Sequence, residues 1–320
     1  MNDNVRENES DSAGTDILGW IDNLPFGRFH IVLLLLTGLP MLFAGYCTQV
    51  IALVLPSILK EWGLSSMKAG TLVSWSFVGF MLGSLFFGTV ADRFGRKKML
   101  MTALALCSIC TGLSYYAAGF GTLCLLRFFT GLGVGGAFPL SVSLVSEFAP
   151  SHLRARLLTI VAGSYTLGWA LAALVSIMVV PLFGWRMVLA IGILPLLCVP
   201  FMGLYLPESI RFLFGKSHHV SRFFMRGSAD SVMYLSREAS RISRMAATPL
   251  PIGPVRIPIR SDIPNTGGLS SLFKSGYARM TILLSLTYFL CSIVLYGISS
   301  WLPALMVKAG FSLTKSFSYS

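Results

Sequence analysis

Along the chain, long apolar runs alternate with short polar breaks, and each run reaches the length of about 20 residues that a helix needs to cross a bilayer. Seven such segments are predicted, at 30–58, 69–91, 99–118, 123–148, 157–180, 186–206 and 279–306. Ahead of them, residues 1–24 are polar and mostly acidic (Asp3, Glu7, Glu9, Asp11, Asp16, Asp22), without the apolar core and cleavage site of a secretory signal. The expected organisation is a cytoplasmic, partly disordered tail at 1–28 and six helices at 29–206. A cytoplasmic linker loop at 207–275 then leads to a seventh helix with a short tail at 276–320.

Composition agrees, with 54% hydrophobic and only 12% charged residues against roughly 25% charged in soluble domains, so an all-α integral membrane fold is expected. The net charge of +12 does not indicate nucleic acid, because the basic residues lie between apolar segments rather than on one soluble face. They also alternate. Arg93, Arg96, Lys97 and Lys98 follow segment 2, Arg154 and Arg156 follow segment 4, and ten Lys or Arg follow segment 6. The other connections are poor in them, which places the basic loops and the N-terminus in the cytoplasm of a cell with a cytoplasmic (inner) membrane.

Catalytic and metal chemistry find little support. Cys107-x-x-Cys110 has no further ligands nearby, His30 begins a helix, and His152, His218 and His219 lie in loops, with no HExxH or nucleophile–base pair. No enzyme activity, metal or cofactor is expected.

One polar break is unusually patterned. Gly88-Thr-Val-Ala-Asp92-Arg93-Phe-Gly95-Arg96-Lys97-Lys98 joins segments 2 and 3; Gly88 is expected to let two helices approach closely, and Gly95 to relieve the turn. Helix 4 carries Arg127 followed by Gly131, Gly133, Gly135 and Gly136, a surface suited to close packing or sliding. Arg127 lies near the outer end, within reach of snorkelling, yet an intramembrane arginine is a functional candidate by default.

These motifs resemble the major facilitator superfamily of secondary transporters. The 88–98 stretch is similar to its signature between helices 2 and 3, Arg127–Ala137 to its helix 4 motif, and Pro207-Glu208-Ser209-Ile210-Arg211 to its PES-x-R motif. Ile21-Asp22 with Pro25-Phe26, Gly45-Tyr46 with Thr48, and Tyr288-Phe289 with Tyr296 and Trp301-Leu302-Pro303 are similar to its aromatic acid:proton symporter branch. The resemblance implies the N-terminal six-helix half of that fold plus a seventh helix, truncated from a twelve-helix whole. It implies a conformational gate of inner charges at Gly88, Asp92, Arg93, Gly95, Arg96, Glu147, Glu208 and Arg211, with Arg154 and Arg156 beside them. It also implies that Arg127 binds a substrate carboxylate or couples protons, with Tyr46, Tyr288 and Trp301 around the substrate.

Trp75, Phe138, Tyr165, Trp169 and Tyr296 complete the set of aromatic residues at cavity depth, which suits a flat organic anion better than a sugar. Two acid positions of the branch are occupied here by Ala44 and Cys47, and the 13 carboxylates fall in the tail, in loops or at helix ends. The expected function is transport of a small aromatic or related organic acid, ancestrally by proton symport, with activity in doubt. A carrier of sugars or other anions, or a non-transporting sensor or scaffold, stands as the alternative.

Overall fold

The computed structural model describes residues 15–210, 212, 237, 240–246, 255–256 and 277–310. Seven helices are long and apolar enough to span a membrane, and they are called here span 1 (Arg28–Trp62), span 2 (Ser66–Phe94), span 3 (Arg96–Tyr116), span 4 (Phe120–Phe148), span 5 (Arg154–Phe183), span 6 (Trp185–Tyr205) and span 7 (Ala278–Lys308). They overlap the seven predicted segments and extend most of them by a few residues, because the flanking polar residues continue the helical hydrogen bonding beyond the apolar run.

Spans 2 and 3 and spans 5 and 6 meet in turns at Gly95 and Gly184, both with positive φ. Span 6 is interrupted. A helix over Trp185–Ile191 gives way to a 3-10 turn at Leu194–Leu197 before Cys198–Tyr205 resumes, and Pro195 at the break has no N–H to continue the ladder.

Lipid offers no hydrophobic drive for helix association, so close backbone contact has to hold the bundle together. Two seams supply it. Gly79 and Gly83 of span 2 face Gly131 and Gly135 of span 4. A Cβ on any of them would stand 2.0 Å from a carbonyl oxygen, of Phe128 and Leu132 on one side and of Ser76 and Phe80 on the other. Spans 1 and 5 make a similar approach, where Gly45 meets the Tyr165 carbonyl and Gly168 meets that of Leu42. The helix 4 glycines thus serve several neighbours, since Gly133 packs on Ala103 and Cys107 of span 3 and Gly136 on the Phe87 ring. Gly88 does not make the close approach expected of it: nothing lies within 4 Å of where its Cβ would be, because that contact is made one and two turns earlier at Gly83 and Gly79.

The described part of the N-terminal tail is ordered rather than loose. Ile17–Asp22 is helical, and Ile21 and Leu24 are buried against the bundle. The all-α expectation holds apart from a two-residue parallel pairing of Thr15–Asp16 with Val255–Arg256. Most of the expected 207–275 linker lies outside the described residues; within it, 240–246 is helical and Ile242 is buried. Span 7 leans mainly on span 1, and none of its apolar window is buried.

Candidate functional site

At the end of the bundle that carries the basic turns, charges converge around the start of span 3. Gly95 has φ +101°, and a Cβ there would lie 2.6 Å from Glu208 Oε2, so glycine is required both for the turn and for the room it leaves. Glu208 uses that room. Its Oε1 accepts from the backbone N–H groups of Lys97 and Ser209, each at 3.0 Å, and so caps a helix start whose own cap residue has no side chain. Burial pushes its carboxyl up from the ordinary value, against the downward pull of those N–H groups and of the Lys97 ammonium.

Arg96 donates to Ser143 and forms an ion pair with Glu147, whose side chain is 3% exposed. The Ser209 hydroxyl donates to the other Glu147 oxygen at 2.7 Å and accepts the Phe212 N–H, which joins the two carboxylates into one network.

Other expected gate members stand apart. Asp92 reaches Arg96 at 3.5 Å but is 73% exposed, the regime in which an ion pair contributes about 0–1 kcal/mol. Arg93 is exposed beside the Phe94 ring and joins no ion pair among the described residues. Arg154 pairs with Asp22 of the N-terminal helix at 3.0 Å rather than with the network, and Arg156 is exposed. Arg211 lies outside the described residues.

A second region lies deeper in the bundle. Spans 1, 2, 4 and 7 enclose a cavity of about 20 Å³, room for a water or two, walled by Cys47, Thr48, Ser76, Thr130, Tyr296 and Ser300 among others. Tyr296 joins an aromatic cluster, with its ring 5.2 Å from Phe77 and 5.9 Å from Trp169; Trp169 lies 5.8 Å from Tyr165, and Tyr165 5.8 Å from Phe138. The Tyr165 hydroxyl donates to Thr48 at 3.1 Å, and Gln49 donates to the Ser299 carbonyl at 3.4 Å.

Arg127 sits behind this cavity. It does not snorkel: it is fully buried, and its Nη2 donates to Ser114 Oγ at 2.9 Å. Cys47 is buried on the cavity wall, and Ala44, one turn away, is buried in the packing of span 1.

The remaining candidates fall elsewhere. Tyr46 is a packing residue whose hydroxyl donates to the Val188 carbonyl at 2.6 Å, which turns it toward span 6 rather than the cavity. Tyr288 is 75% exposed on a broad apolar groove between spans 2 and 7, because span 7 has neighbours on one side only. Trp301 packs against Gly70 near the start of span 2, more than a turn beyond the cavity-lining Tyr296. Trp75 is 44% exposed and meets Phe128 edge-on. The contacts missed in the sequence, Gly79 and Gly83, carry a small-x-x-x-small signal that was there to be read.

Seven apolar spans, backbone-close glycine seams and a buried cation behind a polar and aromatic cavity define a polytopic helical membrane protein. The sequence profile of the Major Facilitator Superfamily matches residues 37–320, and the chain belongs to that family, whose relatives named below are transporters and not enzymes. It is 36% identical over 304 residues to the niacin transporter NiaP of Acinetobacter baylyi, covering 95% of this chain and 66% of that protein. It is 32% identical over 302 residues to the 4-hydroxybenzoate transporter PcaK of Pseudomonas putida, covering 94% and 64%. The chain therefore spans just under two thirds of the length of these relatives. A solved double-tryptophan mutant of the xylose transporter XylE superposes with a TM-score of 0.64 at 22% identity, covering 92% of this chain and 66% of that one, which shows the shared fold.

Proposed function

We propose that the chain carries the N-terminal half and the seventh helix of a secondary transporter for aromatic or related organic acids. It sits in a cytoplasmic membrane with its basic end and N-terminus in the cytoplasm. The aromatic cluster carries this reading: Phe77 and Tyr296 border a cavity, Trp169 and Tyr165 stack in line with Tyr296 beyond it, and Thr130 on the polar wall lies one turn from a buried guanidinium, a pairing of flat apolar surface with positive charge that suits an aromatic carboxylate. The transport of niacin and 4-hydroxybenzoate by the relatives supports the substrate class. The cavity as enclosed by these seven spans is too small for such an acid, consistent with a site completed by the part of the relatives that this chain does not span. The Arg96–Glu147–Ser209–Glu208 network is proposed to hold the cytoplasmic ends of spans 3, 4 and 6 in one arrangement and to act as the gate.

The test is saturable uptake of labelled 4-hydroxybenzoate and niacin by cells that produce the chain joined to the part of the niacin transporter NiaP that it does not span. Uptake above background is expected, and Tyr296→Leu, which removes a cavity-lining ring, lowers the apparent affinity about 3–10-fold. Absence of saturable uptake of either acid, with the protein present in the membrane, overturns the reading.

A further inference from the structure

The six cysteines are all free thiols, and they are unevenly placed. Cys291 is exposed on span 7 and Cys198 half-buried on span 6, whereas Cys47 of span 1 and Cys107 of span 3 are withdrawn into one interface, 2% and 0% exposed. Their thiols stand in hydrogen-bonding contact with each other. Two further contacts fix that meeting. Thr111 donates to the Cys107 carbonyl at 2.6 Å and lies 3.4 Å from Thr130, which shares the cavity wall with Cys47. Span 4 packs on Cys107 at Gly133, where a Cβ would come 2.7 Å from the Cys107 nitrogen and 2.9 Å from its Cβ, so span 3 has no room to back away on that side.

The two thiols differ in access. Cys47 lines the cavity of about 20 Å³, which admits a molecule the size of water or hydrogen peroxide and nothing as large as glutathione. Cys107 is sealed behind it, with its Sγ donating to the Leu104 carbonyl at 3.2 Å. Both are among the titratable groups nearest to the Arg127 guanidinium, which has no ion-pair partner among the described residues. A thiol attacks as its thiolate, a form that a neighbouring arginine favours, and a second thiol in contact resolves the first oxidation product into a disulfide.

We infer that Cys47 and Cys107 are a peroxide-oxidisable pair, closing reversibly to a disulfide that staples span 1 to span 3 beside the cavity. The Cys47 sulfur attacks one oxygen of hydrogen peroxide; the O–O bond breaks, a sulfenic acid forms on Cys47, and the other oxygen leaves as water with the thiol proton. The Cys107 sulfur then attacks the sulfenic sulfur; the S–S bond forms, the S–O bond breaks, and the hydroxyl leaves as a second water with the Cys107 proton. Two thiols lose two electrons and one peroxide becomes two waters. Nothing in this chemistry depends on what the chain transports.

The experiment treats the purified full chain in lipid nanodiscs with hydrogen peroxide, removes the oxidant with catalase, denatures the protein and blocks free thiols with N-ethylmaleimide before peptide mapping by mass. The expected result is a loss of two of the six maleimide-reactive thiols, with the Cys47 peptide recovered joined to the Cys107 peptide and both thiols regained after dithiothreitol. Cys47→Ser keeps Cys107 reactive, Cys107→Ser leaves a Cys47 sulfenic acid that dimedone captures, and Cys110→Ser leaves the link intact. The wild-type map decides the matter should a serine variant fail to fold. Six reactive thiols after peroxide, a link of Cys107 to Cys110 or through Cys198 or Cys291 in place of the Cys47–Cys107 link, or a loss that dithiothreitol does not restore overturns the inference.

Discussion

Two arginines are withdrawn from water in this bundle, and they are treated in opposite ways. Arg96, with a side chain 18% exposed, meets Glu147, Ser143 and Asp92 and is tied through Ser209 to the next loop. Arg127, fully buried, meets one serine. A guanidinium compensated by its own chain fixes helices relative to one another, as Arg96 does for spans 3 and 4, whereas Arg127 has no ion-pair partner among the described residues and ties span 4 to span 3 by a single hydroxyl.

The comparison breaks first at Glu147. Glu147→Gln strips Arg96 of its buried partner and should destabilise the folded protein by about 3 kcal/mol, read as a lower unfolding midpoint in detergent. Arg127→Met should do the reverse of what burial alone suggests: replacing a charge that has no ion-pair partner among the described residues with an apolar side chain of similar length leaves the midpoint no lower than wild type. A loss as large as that of Glu147→Gln would make the two arginines alike after all.

The smallest effect concerns Glu208. Burial raises its folded-state value above the unfolded one, so its stabilising contribution is complete below the unfolded value and is lost as pH rises through the raised folded value. Midpoints measured from about pH 4 to about pH 8 should fall across that window, and Glu208→Gln, neutral throughout, should flatten this part of the curve.

The spans were legible because the length of an apolar run is nearly all that a membrane helix requires, and the 88–98 turn because Gly95 and its charges are local features. Rotation of each helix about its axis was not legible. Spans 4, 5 and 7 are apolar on every side, so nothing in their pattern states which face turns inward. Of the aromatic residues expected at cavity depth, Tyr296 stands on the cavity wall, whereas Tyr46 turns to span 6 and Trp301 to Gly70. Arg127 was identified by residue type, but its isolation was not, since it depends on where Ala44 and Cys47 of a distant span come to rest.

The seam between Gly79, Gly83, Gly131 and Gly135 has a mechanical meaning. With carbonyl oxygens standing where side chains would otherwise begin, spans 2 and 4 behave as a single beam, too closely nested to slide by a residue without collision. Span 7 has no such anchorage. Of the four spans that wall the cavity, spans 2 and 4 are thus a pair whose relative position the backbone itself fixes.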